Sequence, residues 1–291
     1  MKHIVDISAI FFRYYFSPAP ILINDEGYDV SALKSTLKWL LKPDFLMPNS
    51  TVCAFDESLG TGFRHAIDVH YKSNRPLPTD DIIYQLSYLK SLCGLLGFAV
   101  LASEDLEADD LIACAVHRYS AEPCTIHSRD KDLRQLVSGE NVVMKDSTNE
   151  QIWTEQRLLA EVGLKASQIP LYLALVGDSV DNIGGVPAVG HKTAVALLQA
   201  YEDLSGLKQA VLAQDPLPVR GSARIKASLS AHPDLIEHNL LLTTLRLEPK
   251  LPILFEPMGE TELAAVHALC AKLGITQGLQ KHLNQLQPAL S

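Results

Sequence analysis

The chain has 291 residues, 47% of them hydrophobic and 20% charged, which excludes a disordered polypeptide. The length suffices for one large or two modest domains with a sizeable core. A formal net charge of −9, from 34 acidic against 25 basic residues, argues against a nucleic-acid binder unless bound cations offset a cluster of the acids.

Five cysteines, at 53, 93, 114, 124 and 270, form no C-x-x-C pair and are odd in number. That usage points to a reduced, cytoplasmic setting rather than a disulfide scaffold or a zinc ribbon. The opening "MKHIVDISAIFF" is too short and too broken for a signal peptide. No apolar run reaches about 18 residues, so no membrane span is expected.

In chain order, "HIVDIS" (3–8), "STVCAFD" (50–56), "FAVLAS" (98–103) and "CTIHS" (124–128) read as buried strands, being short, apolar and rich in β-branched or aromatic residues. Between them, 29–42, 81–97 and 107–121 show the three-and-four apolar spacing of helices. Strands alternating with helices predict a mostly parallel sheet covered on both faces. Residues 141–154 read as a hairpin, and the chain is mostly helical from there to about 285, with 214–223 a loop between helices.

Acids mark the strand ends. Asp6 closes the first strand, Asp56 the second, and Asp130 and Asp132 follow the fourth. In an open parallel sheet, ligands bind outside the carboxyl ends of the strands. The third strand leads into "EDLEADDL", where Glu107 and Asp110 stand three apart on one helical face. Asp109, offset by two, points away from Glu107 on the same spacing. Singly, each acid also fits a turn, a cap or a macrodipole partner. Together they would repel one another and raise each other's pKa, and divalent cations are the natural remedy. All-oxygen ligands suit Mg²⁺ or Mn²⁺ rather than Zn²⁺.

The segment "FRHAIDVHYKSNRP" (63–76) interleaves Arg64, Lys72 and Arg75 with Phe63, His65, His70 and Tyr71. Basic groups bind phosphates and aromatics stack on unpaired bases, although a solvated amphipathic face gives the same pattern. Its histidines lack strong metal-ligand spacing and read as surface or packing residues.

"GDSVDNIGGVPAVGHKTAVALL" fits a helix–hairpin–helix, with helices at 168–176 and 191–200 and a hairpin from Gly184 to Gly190. Gly185, Pro187 and Gly190 permit a tight turn with outward N–H groups, a backbone phosphate site that reads no sequence. Lys192 adds a charge. A P-loop fails on spacing, because His191 intervenes before Lys192 and Thr193, and on context, because the preceding segment looks helical. Asp178 and Asp181 would hold a metal beside the gripped strand.

These motifs resemble the 5′-nuclease family, which includes the N-terminal domain of bacterial DNA polymerase I, phage 5′-exonucleases and flap endonucleases. The likeness rests on "IVD" at 4–6, "FD" at 55–56, "FR…YKSNRP" at 63–76, "EADD" at 107–110, "DKD" at 130–132 and the hairpin at 177–194, and it covers nearly the full chain. Their order and spacing are most similar to the polymerase-linked bacterial branch, here expected as a free-standing 5′-3′ exonuclease. Departures are Ile7 after the first Asp, Ser128-Arg129 for the usual Thr-Gly, and Gly184 and Ala188 for the usual Pro and Gly.

The resemblance implies a PIN-like α/β nuclease domain over 1–166 with a helical arch over about 57–97. A helical C-terminal domain over 167–291 carries the hairpin. It implies metal-dependent hydrolysis of DNA at a 5′ end or 5′ flap near a duplex junction, by a monomer, with two Mg²⁺ or Mn²⁺ ions. One ion would sit among Asp6, Asp56, Glu107, Asp109, Asp110, Asp130 and Asp132, the other towards Asp178 and Asp181. Arg13 and Lys72 would contact the scissile phosphate. Arg64, Tyr71 and Arg75 would meet DNA in the arch. Gly185, Val186, Val189, Gly190, Lys192 and Thr193 would grip the duplex, with K⁺ on the backbone of Val186 and Val189. Arg220 and Arg224 fall in "LPVRGSARIKASL", which resembles a later DNA-facing helix. A non-catalytic DNA-structure binder and an acidic-pocket ribonuclease are the alternatives.

Overall fold

The computed structural model describes residues 1–18, 20–58 and 60–287. Six strands form the main sheet: β1 (Lys2–Asp6), β2 (Thr51–Asp56), β3 (Ala99–Ser103), β4 (Cys124–His127), β5 (Val142–Lys145) and β6 (Ile152–Trp153). Their order is β3-β2-β1-β4-β5-β6. The first five are parallel and β6 returns antiparallel to β5, which closes the expected hairpin onto the sheet edge.

Strand alternation feeds two cores, one on each face. Ile4, Val52 and Ala54 point to the layer containing helix Ala108–Arg118. Val5, Cys53 and Phe55 point to the layer containing helices Ile7–Tyr15, Ser31–Leu40 and Asp80–Leu95. Burial on both faces is why these strands read as continuous apolar runs. All five cysteines are free and buried. No single helix among the described residues is long and apolar enough to cross a membrane.

One expectation is corrected. The first strand stops at Asp6, not residue 8, because the Asp6 carboxylate accepts the Ala9 amide at 3.0 Å and caps helix Ile7–Tyr15. Ile7 is fully buried in that helix, so the departure after the first Asp is a packing residue. Within the expected arch segment, helix Phe63–Ile67 packs against helix Pro233–Thr243, and helix Asp80–Leu95 buries Leu89 and Leu92 in the core.

The C-terminal half is helical, with Ile169–Val176, His191–Tyr201, Leu204–Leu212, Ser222–Ala231 and Pro233–Thr243 in sequence. It does not own a separate core. Leu173, Leu197 and Ile236 join the same apolar cluster as Ile4 and Leu111. Helix Glu260–Lys272 crosses back to the opposite face, where Val266 and Cys270 pack with Leu89 and Leu92.

Candidate active site

The sheet order reverses at β1: β2 lies on one side and β4 on the other. Connections leave such a point in opposite directions and open a crevice beyond the carboxyl ends. Asp6 ends β1, Asp56 ends β2, and Asp130 follows β4 to cap the short helical turn Lys131–Leu136. Ser128, fully buried, ties two of these acids together. Its hydroxyl donates to Asp6 at 2.7 Å and accepts the Asp130 amide at 3.0 Å. Asp56 accepts from the Ser58 hydroxyl at 2.9 Å.

The carboxylates feel one another. Burial, with Asp130 and Asp56 nearby, pushes Asp6 up to about 6 despite bonds from Ala9 and Ser128. Asp132 rises to about 7 through burial and then Asp130 and Asp178. Asp109 is driven well above the carboxylate range by burial, Asp130 and Asp6. So Asp109, which spacing turned away from Glu107, faces the acid cluster. Glu107 is the N-cap and has extended backbone, so helical offsets do not apply to it.

Cations close the other side. Glu107 accepts from Lys72 Nζ at 2.7 Å, Tyr71 Oη at 2.9 Å and Arg64 at 3.0 Å. Burial would raise its pKa, but Lys72 and Arg64 prevail and hold it below the usual value. Asp181 is gripped by Arg75 and accepts from Tyr71 Oη at 3.1 Å, and the Lys72 amide donates to its carbonyl at 2.9 Å. Asp178 pairs with Lys131 at 2.9 Å. Asn182 donates to the His70 carbonyl at 2.8 Å and Asn74 to the Ser179 carbonyl at 3.0 Å, so 70–75 and 179–182 form one docked unit.

Several expected DNA contacts are instead internal. Arg64 is 2% exposed and its guanidinium is spent on Asp110, Glu107 and two carbonyls. Tyr71 is 3% exposed, with its ring against His65 and its hydroxyl between Glu107 and Asp181, which leaves no face for a base. Arg13 donates to the Ser147 carbonyl. Asp110, wholly buried, has both oxygens occupied by Arg64 and by the Glu107 and Arg246 amides. It belongs to a buried ion pair and not to the open acid cluster. Lys131, Ser128 and Asn182 were missed, because only their distant partners give them meaning.

The hairpin forms between helices Ile169–Val176 and His191–Tyr201. A two-residue ribbon, β7 (Gly177–Asp178) with β8 (Ile183–Gly184), precedes the turn. Gly185 is obligatory, since a Cβ there would meet the Val176 carbonyl oxygen at 2.1 Å. Gly190 is not: it has open space around it and φ −99°, so its role in the tight turn is corrected. Val186 and Val189 bury their side chains, and the Val186 carbonyl accepts the Val189 amide at 3.0 Å. Lys192 is exposed and Thr193 half-buried in the first turn of the second helix; Arg220 is exposed just before helix Ser222–Ala231 and Arg224 is exposed in its first turn. Asn239, buried, donates to the carbonyls of Ala174 at 2.9 Å and Gly184 at 2.7 Å and pins the hairpin to helix Pro233–Thr243.

The donor set suits a hard divalent cation. It is all oxygen, burial and then neighbouring carboxylates push Asp6 and Asp132 up, and Asp132 Oδ1 is buried with no hydrogen-bond partner among the described residues. Among the described residues no three acids, histidines or cysteines stand close enough together, as placed, to hold a metal ion. Asp109, Glu107, Asp132 and Asp181 line one cavity with Tyr71 and Gln135.

Two family models match successive parts of the chain. Residues 2–163 match the 5′-3′ exonuclease N-terminal resolvase-like domain, and 164–264 match the 5′-3′ exonuclease C-terminal SAM fold. A 5′-3′ exonuclease of Aquifex aeolicus is 35% identical over 70% of this chain and 71% of its own. DNA polymerase I of Pseudomonas aeruginosa is 31% identical over 98% of this chain, which spans 32% of that polymerase. A zinc-bound T5 5′-exonuclease shares the fold, with TM-score 0.66 and 21% identity over 98% of both chains. On these matches the chain belongs to the 5′-3′ exonuclease family of nucleases.

Proposed function

We propose that the protein hydrolyses DNA phosphodiester bonds as a 5′-3′ exonuclease and 5′-flap endonuclease, using two Mg²⁺ or Mn²⁺ ions. One observation carries the reading: the buried Ser128 hydroxyl ties Asp6 at the end of β1 to Asp130 after β4, and Asp132, two residues on, keeps a buried oxygen with no hydrogen-bond partner among the described residues. With Asp56 and Glu107 they would hold one ion. Asp178 and Asp181 would hold the other. Bound there, the ions would offset charge on the phosphate and lower the pKa of a water.

The chain's own residues do the rest. Lys72 and Arg75 already occupy the acid pocket as cations and would turn from carboxylate to phosphate when DNA enters. Tyr71, whose phenol is held far above its ordinary range by burial and by the charges of Glu107 and Asp181, stays a hydrogen-bond donor. The Gly185–Gly190 turn and the start of helix His191–Tyr201 would hold duplex backbone, with Lys192 adding charge. A labelled 5′-flap duplex and a single-stranded RNA, each with Mg²⁺ and with EDTA, test this. Flap products near the junction, absent with EDTA, support it; cleavage of the RNA alone defeats it.

A further inference from the structure

Arg64 lies at the meeting point of three elements. It projects from helix Phe63–Ile67, which Gly62 lets approach so closely that a Cβ there would meet the Asp105 carbonyl oxygen at 2.8 Å. Its Nη1 bonds Asp110 at 2.6 Å and Glu107 at 3.0 Å, and its Nη2 bonds Asp110 at 2.8 Å. Nε donates to the Leu242 carbonyl at 2.8 Å and Nη2 to the Thr244 carbonyl at 3.3 Å. Those carbonyls end helix Pro233–Thr243, where a cation also suits the helix dipole. All five guanidinium donors are therefore used, in a site with almost no exposure.

We infer that Arg64 is a positioning residue and Asp110 its internal counter-ion. The pair fixes the Glu107 carboxylate and seats the end of helix Pro233–Thr243 against the acid site. Three features support this. Asp110 has no oxygen free for another partner. Glu107 owes one of its oxygens to Arg64, while Lys72 takes the other. The same helix reaches the duplex-gripping hairpin through Asn239, so Arg64 also joins the two ends of the site. A lysine could not replace it, since one ammonium cannot span two carboxylates and two carbonyls in a plane.

The inference rests on the nuclease reading and separates from it, because two of the four readouts below need no turnover. Arg64→Gln, Asp110→Asn and the double variant are compared with wild type and with Asp109→Asn. The readouts are melting temperature, Mn²⁺ affinity, kcat and KM on a 5′-flap duplex. Each single change should lower the melting temperature, since it leaves a buried charge unpaired, and the double variant should recover part of the loss. Turnover below the melting range should fall about 10- to 100-fold for either single variant. The double variant should match the worse single one rather than their product, and KM should hold within about twofold. Asp109→Asn should weaken Mn²⁺ binding more than Asp110→Asn does. The idea is overturned if Asp110→Asn loses Mn²⁺ as Asp109→Asn does with an unchanged melting temperature. It is also overturned if Arg64→Gln raises KM alone, or if kcat is untouched. A wild-type protein that cuts no flap would sink the nuclease reading instead.

Discussion

The Lys72 ammonium stands 2.7 Å from the Glu107 carboxylate, and Lys72 reaches it from a left-handed backbone at φ 52°. A non-glycine residue in that region costs about 1–3 kcal/mol and persists only where its surroundings fix it. Here the Lys72 amide bonds the Asp181 carbonyl at 2.9 Å and supplies that constraint. The charge is thus aimed at the acid pocket before any substrate arrives.

Replacing Lys72 with Ala should therefore cost turnover more than affinity. The lost charge matters most where the transition state gains negative charge, an effect of about 10²–10³-fold. Steady-state kinetics on a 5′-flap duplex checks it. If KM rises while saturating turnover stays normal, Lys72 serves binding alone.

Much of this site was legible. The β-branched runs located β1 to β4, and the acids at their ends followed from the rule that parallel sheets bind at carboxyl edges. What was not legible depends on partners far apart in the chain. Arg64 reads as a basic surface residue in its own segment, and only contact with residues 107, 110, 242 and 244 makes it internal. Asp109 was turned the wrong way because Glu107, the reference for its offset, stands outside the helix. Helix Ile7–Tyr15 went unread because "ISAIFFRYY" is aromatic and β-branched, and its cap is the same Asp6 that ends the strand.

The metal-free protein should carry a pH-dependent strain at Asp132. In the unfolded chain Asp titrates at about 3.9; folded, Asp132 is pushed up to about 7. A raised carboxyl contributes stability that is fully present below the unfolded value and is lost as pH rises through about 7. Asp132→Asn should then melt several degrees above wild type at pH 8 with EDTA, and level with it near pH 4. Added Mg²⁺ should narrow the gap at pH 8. A variant that never melts above wild type in EDTA would show that the carboxylate is not strained.

Ala188 also has a left-handed backbone, at φ 67°, inside the hairpin. The turn is held by the Val189 amide on the Val186 carbonyl at 3.0 Å and by the Ser228 hydroxyl on the Pro187 carbonyl at 2.5 Å. Glycine adopts this conformation without a Cβ clash, so Ala188→Gly should stabilise the fold by about 1 kcal/mol. Urea denaturation reads this as a higher midpoint at constant slope. A lower midpoint would mean that the alanine methyl packs usefully despite its backbone.

The loop that carries both acid and hairpin should divide into two functions when each half is changed. Asp178 now pairs with Lys131, and Asp181 with Arg75 and Tyr71. Removing both acids with Asp178→Ala and Asp181→Ala frees Lys131 and Arg75. Without metal, duplex affinity should then hold or rise, while cleavage falls strongly and recovers in part at raised Mg²⁺ or Mn²⁺. Lys192, exposed at the start of helix His191–Tyr201, pairs with no carboxylate among the described residues. Lys192→Ala should loosen duplex binding for every sequence alike, because backbone phosphates carry no base information. Its slope of log affinity against log salt should shrink by about one unit, the share of a single phosphate contact. Filter binding across a salt series, beside cleavage assays, separates the two. If the double Asp variant lost DNA affinity and Lys192→Ala lost only cleavage, the assignment of metal to one half and phosphate to the other would be reversed.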